Sequence, residues 1–394
     1  MNNLLQEQLS KEDFINDILS YNDRIGVYMI GGCVRDFFLN KEIKDIDLLV
    51  THIKIDNLID LLKKYGKCDL IGESFSVIKF KCNGIEYDIA TPRTERKVGE
   101  GHKGFEIVSN ENITLEEDIL RRDFSINTIA INIKNGDIVD ICNGLEDLKN
   151  TTIRVLGEKS FVDDPLRMLR AVGFASRFNF IIEEKTMVLM QQNAQHIKEI
   201  SPERILIELE KILSKGNCLI GAYFLKHTGL YSYIFEGTLE ILPAAFKKIK
   251  SFAEFIFLLN NRRSDSSKFF LKNLKGDTIT AKEIEGLSMV SYYDVNVSKG
   301  DNCMKVFNAL QKSQNIIDTK ICVVGMAQIL SEFASGKYPK SRKELAINGN
   351  DIEALGYSGV VIGEKLNTVL YKVLNDKIGN NKEEIINILN LEKC

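Results

Sequence analysis

The chain has 394 residues, 44% of them hydrophobic and 27% charged, with a formal net charge of −3. This is ordinary globular composition; it excludes a fibrous or disordered chain, and the length allows about two to four domains. A slightly acidic chain has no global field to draw in a polyanion, so any nucleic-acid contact must come from a local basic patch.

The longest apolar run, "FAEFIFLL" at 252–259, is far short of the roughly 18 residues of a membrane span. The N-terminal "MNNLLQEQLSKEDF" has neither a basic nor an apolar leader region, so no secretory signal is expected. The eight cysteines form no CxxC pair, which predicts free thiols in a reducing compartment and argues against a zinc site.

In chain order, "VYMI" predicts a short strand that ends at Gly31-Gly32, and "VRDFFLN" a helical segment. "IDLLV" predicts a strand, and "IDNLIDLLKKYG" an amphipathic helix with Gly66 just past its end. "SVIKFKCNGIEYDIA" is two alternating runs around Asn83-Gly84, the signal for a type I′ hairpin. The polar, Gly-rich "RTERKVGEGHKGFE" predicts a mobile loop. "TLEEDILRRDF" begins with a Thr and acids in its first turn, a helix start, and "NTIAINIKNGDIVDI" predicts a second hairpin around Asn135-Gly136.

After about Asn143 the pattern turns helical. "DDPLRMLRAVGFASRF", "EEKTMVLMQQNAQHI" and "SPERILIELEKILSKG" carry helical spacing, the last with Ser201 as cap and Pro202 at the first helical position. Between Ile241 and Lys275, Lys247, Lys248, Lys250, Arg262, Arg263, Lys268, Lys272 and Lys275 face only Glu254 and Asp265. Taken alone, such a run reads equally as a solvated helix face.

"GGCVRDFFLNKEIKDIDLLV", residues 31–50, holds the first chemical signal. Asp45 and Asp47 stand two apart on a predicted strand, so their side chains share one face. Two carboxylates on one face repel unless a cation lies between them, and magnesium is commonly held by one or two carboxylates plus substrate phosphates. A bare DxD also fits a polar strand end. Its neighbours add meaning: Gly31-Gly32 allows close approach of a triphosphate, and Arg35 just inside the next helix can grip phosphate oxygens. There is no GK[ST] and no GxGxxG. The hairpin adds Glu86 and Asp88 on one face, with Asp88 a candidate third carboxylate.

These residues resemble the first motif of the class II tRNA nucleotidyltransferase and bacterial poly(A) polymerase family. Four more stretches resemble that family's motifs in its order: "EEDILRRDFSINTIAI", "GLEDLKNTTIRVLG", "DDPLRMLRAVGF" and "ISPERILIELEKIL". They run from about Tyr28 to Leu213, over half of the chain. The resemblance implies an α+β fold. A nucleotidyltransferase (polymerase-beta-like) mixed-sheet head of about five strands would span 1–142, followed by an all-α neck (143–200), body (201–290) and tRNA-binding tail (291–394). It implies transfer of CMP and AMP from CTP and ATP to the 3′ end of tRNA, with Mg²⁺ on the catalytic Asp45 and Asp47, in the cytoplasm. Gly32, Arg35, Arg122 and Arg170 would contact the nucleotide.

Asp164 and Arg167, i and i+3 on the predicted helix, would select the base. The carboxylate only accepts and the guanidinium only donates hydrogen bonds. Adenine and cytosine both offer an amino donor beside a ring-nitrogen acceptor; guanine and uracil offer the reverse. A wrong base would strand buried polar groups at about 1–3 kcal/mol each. As a bare pair, the same residues would be an ordinary helix ion pair.

One departure is visible: Gly173 stands where the family carries an arginine, and Arg177 is the neighbour that could substitute. The loop at 97–104, with Gly99, Gly101 and Gly104, resembles the segment implicated in the switch from C to A addition. The 345–376 stretch resembles the RNA-binding tail. None of His52, His102, His196 and His227 precedes Asp, so no added phosphohydrolase activity is expected. The expected partners are the tRNA acceptor stem and 3′ end, ATP and CTP, with neither DNA nor membrane. Poly(A) polymerase or a partial CC- or A-adding enzyme is the alternative within the class; a non-catalytic RNA-binding protein is the alternative outside it.

Overall fold

The computed structural model describes residues 4–43, 45–71, 77–97, 105–235, 237–291, 297–319 and 324–391. The chain forms two compact units, residues 1–200 with 227–233 and residues 201–226 with 234–394.

The first unit is built on a mixed sheet of seven strands rather than about five. These are β1 (Gly26–Ile30), β2 (Ile46–Thr51), β3 (Lys67–Ile71), β4 (Val77–Cys82), β5 (Ile85–Ala90) and, after a separate pair, β8 (Ala130–Asn132) and β9 (Ile138–Val139). Their order is β3-β4-β5-β2-β1-β8-β9. β2 and β5 run parallel and the other neighbours antiparallel. The strand without a sequence signal is β3, an edge strand with an exposed-intermediate-exposed pattern and no buried face.

Alternation shapes β4, which turns Ile78, Phe80 and Cys82 inward. Asn83 (φ 51°) and Gly84 (φ 82°) make the expected I′ turn into β5. Phe14, from the helix Asp13–Leu19, packs edge-on against Phe80 and Tyr87 at 5.1 and 5.2 Å. A second cluster joins Ile30, Leu49 and Ala130 of the sheet to Leu115 and Ile119.

Helix α1 (Gly32–Phe38) starts directly after β1, and Gly31 makes the turn at φ 78°. Helix α2 (Ile55–Leu62) ends four residues before Gly66, which is not a left-handed cap. A Cβ at Gly66 would lie 2.1 Å from the Lys81 carbonyl oxygen, so this glycine permits close approach to β4. Helix α3 (Leu115–Leu120) opens with a full capping box between Thr114 and Glu117.

Two expectations need correction. The polar stretch read as a loop is partly strand: β6 (Arg93–Lys97) pairs antiparallel with β7 (Phe105–Ser109). Charged residues hid this, because a two-stranded ribbon need not bury a face to pair its backbone. Gly99, Gly101 and Gly104 lie outside the described residues. Second, Asp164 does not share a helix with Arg167. Helix α4 runs Leu166–Phe178, and Asp164 precedes it with extended backbone (φ −137°, ψ 94°). Pro165 explains this, since a residue before proline is steered away from the α region.

The described part of the second unit is helical. Its main helices include Pro202–Lys215, Phe252–Leu259, Thr278–Val290, Lys299–Lys312 and Val360–Leu374. Pro202 takes the first helical position, while the Ser201 side chain makes no cap bond. The apolar octet is a core helix, buried from Ala253 to Leu259. Its one acid, Glu254, accepts from Lys250 N (2.7 Å) and Thr319 Oγ1 (2.6 Å). Among the described residues no helix is long and apolar enough to cross a membrane.

Candidate active site

A cavity of about 500 Å³ opens in the first unit, at the ends of β1, β2 and β5. The Gly31-Gly32 turn forms part of its wall, with no side chain to fill the space. A Cβ at Gly32 would lie 3.6 Å from Arg35 Nη2 and 3.7 Å from Asp47 Oδ2, and one at Gly31 would lie 3.1 Å from Arg122 Nη1. The turn therefore lets two guanidiniums and a carboxylate converge.

Asp47 lines the cavity, and in the parallel β2–β5 pair it stands directly beside Asp88. Burial, then the neighbouring charge of Asp88, push the Asp47 carboxyl up to about 6 despite Arg122; Asp45 pushes the same way. Asp88 itself is bound by Lys79 Nζ across the β4–β5 hairpin, and Glu86 by Lys81 (2.9 Å). Asp45 sits one residue before β2 begins, is exposed, and is not part of the cavity wall.

The facing wall is cationic. Arg121 and Arg122 follow α3, and both are held by Asp118, which is fully buried beneath them. Arg121 Nη2 lies 2.5 Å from Asp118 Oδ1, and Arg122 Nη2 2.8 Å from Oδ2. Burial would raise the Asp118 carboxyl, but the two guanidiniums hold it below the usual range.

Arg167 is fixed by main chain. Its Nη2 donates to the Arg121 carbonyl (2.9 Å), and its Nη1 to Ser160 Oγ (2.8 Å) and, at 3.4 Å, the Arg122 carbonyl. Asp164 Oδ1 accepts from Leu166 N at 3.2 Å, so this carboxylate also caps the start of α4. Both residues line the cavity, although only one is helical.

Arg170 lies one turn on and is paired with Asp123 through Nε (2.9 Å) and Nη2 (2.6 Å). Arg35 is 4% exposed; it donates to Asp36 Oδ1 through Nε (2.9 Å) and to Asn127 Oδ1 through Nη1 (2.6 Å).

Of the sequence-predicted residues, the cavity gathers Gly32, Arg35, Asp47, Arg122, Asp164, Arg167 and Arg170, and leaves out Asp45. Arg177 is not on its wall. It donates to Asp36 (3.2 Å) and stacks on Phe178, so it does not replace the absent arginine; a Cβ at Gly173 would meet open space. Sequence reading missed Asp118, Asp123, Asn127 and Phe174. Asp118 was legible in principle, standing three and four positions before the arginines that it holds. Asn127 gave no signal.

The donor set suits a cation. Asp47 is largely buried and stands beside Asp88, a setting in which a bound cation would favour the charged carboxylates, and hard oxygen ligands suit magnesium. Among the described residues no three His, Cys, Asp or Glu side chains form a metal site by themselves, so phosphates of a bound nucleotide would have to complete the ligand set.

A mixed-sheet head with carboxylates on adjacent parallel strands, a Gly-Gly turn and an arginine wall defines a nucleotidyltransferase. Residues 27–154 match the poly A polymerase head domain, and residues 179–242 match the probable RNA and SrmB-binding site of polymerase A. The chain is 30% identical to a CCA-adding enzyme of Lactobacillus helveticus over 379 residues, 91% of each chain. It is 29% identical to that of Staphylococcus saprophyticus over 91% of this chain and 92% of the relative. A solved CCA-adding enzyme of Bacillus stearothermophilus, in complex with CTP, shares the fold at TM-score 0.70 and 24% identity over the whole of both chains. The chain belongs to the CCA-adding enzyme and poly(A) polymerase family, the one that its motifs resemble.

Proposed function

We propose that this protein is a CCA-adding enzyme, transferring CMP and AMP from CTP and ATP to the 3′ hydroxyl of tRNA with release of pyrophosphate. The observation that carries this reading is the convergence of Asp47 with Arg122, Arg167, Arg170 and Asp164 in one cavity. Nearly end-to-end likeness to enzymes named for CCA addition supports it.

Asp47 on the cavity wall, with Asp45 off the wall but close enough for its charge to act on Asp47, would hold Mg²⁺, which when bound lowers the pKa of an attacking hydroxyl and offsets charge on the leaving oxygen. The chain's own residues bind and orient. Gly31 and Gly32 leave room for the triphosphate beside Asp47. Arg122 and Arg170, each aimed by a carboxylate, offer N–H groups to phosphate or ribose oxygens. Arg35 has Nε and Nη2 on Asp36 and Nη1 on Asn127, and would offer only its remaining N–H groups. Asp164 accepts from the amino group of C or A, and Arg167 donates to the ring nitrogen. Arg167 is already oriented by two carbonyls and a hydroxyl, so little ordering remains for the incoming nucleotide to impose.

The family match at 179–242 supports RNA contact in the helical region, in keeping with a neck (143–200), body (201–290) and tail (291–394) following the head (1–142). The reading places the enzyme in the cytoplasm. To test it, purified protein with Mg²⁺ is given tRNA ending at the discriminator base, tRNA ending in CC, or an unrelated RNA. Each is offered CTP, ATP, UTP or GTP, and the 3′ ends are sequenced. Growth to CCA and then arrest, on tRNA only, is the expected result. Long A tails on any RNA would mean poly(A) polymerase, and arrest at CC a partial enzyme.

A further inference from the structure

Five residues of the cavity wall close a ring around two arginines that the proposed function gives to the nucleotide. Arg35 Nη1 donates to Asn127 Oδ1 (2.6 Å), and Asn127 Nδ2 donates to Asp123 Oδ1 (2.9 Å). Arg170 donates to the other oxygen of Asp123, Oδ2, at 2.6 and 2.9 Å. The guanidinium carbons of Arg170 and Arg35 stand 5.4 and 5.3 Å from the centre of the Phe174 ring, within cation–π range. Two polar links and the Phe174 ring thus join two arginines into a closed frame, with Phe178 a second ring beside Arg35 at 4.7 Å.

Each member has a chemical reason to be what it is. The amide at 127 accepts from the guanidinium through its oxygen and donates to the carboxylate through its nitrogen, two fixed atoms that set the direction of each link. Asp123 is 8% exposed; burial would raise its carboxyl, but Arg170 and Asn127 hold it low. Phe174 is pinned in turn, edge-on to the fully buried Phe124 at 5.8 Å and parallel to Phe178 at 6.0 Å. It therefore cannot swing away from the guanidiniums without disturbing the core.

We infer that Phe174 is a positioning residue for nucleotide binding: its ring, with the Asp123–Asn127 link, holds Arg170 and Arg35 at fixed angles to the cavity. An arginine side chain has many rotamers to lose, and a frame that removes this freedom before binding spares the incoming nucleotide that cost. Both arginines face the triphosphate side of the site under the proposed function, on which this inference rests. The ring acts through them and touches no reacting atom.

The test is steady-state kinetics of the full chain on tRNA ending at the discriminator base and on tRNA ending in CC. Phe174→Leu keeps an apolar side chain but removes the π face. It should raise KM for CTP and ATP by about tenfold, the scale of a desolvated cation–π contact, and leave kcat and the KM for tRNA within about twofold. Phe174→Tyr restores the face and should recover the wild-type nucleotide KM. If Phe174→Leu does not fold, Phe174→Met is measured in its place with the same expectation. A folded Leu or Met variant with nucleotide KM within about twofold of wild type overturns the inference, as does an equal rise in the KM for tRNA. If the wild-type protein itself shows no saturation by CTP or ATP, the nucleotide-site reading fails first and the inference falls with it.

Discussion

The cavity wall of the first unit and six lysines of the basic stretch in the second use positive charge in opposite ways. In the first, Arg35, Arg122 and Arg170 lie on a cavity wall, each tied to a carboxylate: Asp36, Asp118 and Asp123. In the second, Lys247, Lys248, Lys250, Lys268, Lys272 and Lys275 are exposed, and among the described residues their ammonium groups make no ion pair. A guanidinium aimed by a buried acid has one orientation and can tell one ligand geometry from another. An exposed lysine is a flexible point charge suited to phosphate of any sequence and weakened by salt. Under the proposed function, discrimination would belong to the first unit and grip to the second.

The sharpest break of this contrast is Asp47→Asn. Addition should fall by about 10³-fold or more, the worth of several kcal/mol at the reacting centre, while tRNA binding is retained. Gel-shift and extension assays on one preparation check both halves.

Next in size is Asp118→Ala, which leaves two guanidiniums over an empty buried site. Unfolding by denaturant should show a loss of about 3 kcal/mol, as for other buried pairs robbed of one partner. The nucleotide KM should rise, because Arg121 and Arg122 lose their aim. An exposed pair such as Lys67–Asp69 should cost under about 1 kcal/mol when broken, which sharpens the comparison.

Asp47→Asn has a second consequence, with a pH signature. The folded state raises the Asp47 carboxyl to about 6, so it binds the proton more tightly than the unfolded chain does. That stabilisation is complete below about pH 4 and is lost as pH rises through about 6. In chelator at pH 7–8 the Asn variant should therefore be more stable than wild type, by about 1–3 kcal/mol, with the difference vanishing below about pH 4. Thermal melts across that range check it.

The smallest effect belongs to the second unit. Lys268→Glu with Lys272→Glu should weaken tRNA binding several-fold and lower the log–log salt slope by about 0.7–0.9 for each phosphate that is no longer neutralised. Nucleotide KM should not move. A change confined to nucleotide KM would reverse the assignment of grip and discrimination.

Much of the first unit was legible because its signals are local. Alternation with Asn83-Gly84 marked the β4–β5 hairpin, Thr114 marked α3, and Gly31-Gly32 marked the turn that the cavity needs. Other features were fixed by distant partners. The β3 edge strand buries no face, so it leaves no pattern. β6 is a polar, charged run without apolar alternation, so its pairing with β7 left no strand pattern. Asn127 is chosen by Arg35, 92 positions away, and by Asp123. The misplacement of Asp164 was avoidable, since Pro165 adjoins it and proline is a local signal.

The central claim is that the cavity of the first unit binds and selects the nucleotide. Its most direct test is equilibrium binding of CTP, ATP, UTP and GTP to the wild-type protein and to Arg167→Ala, without RNA. The account expects the wild type to favour CTP and ATP over UTP and GTP by about tenfold or more, and the variant to lose most of that preference. Equal binding of all four by the wild type, or an unchanged preference in the variant, would contradict it.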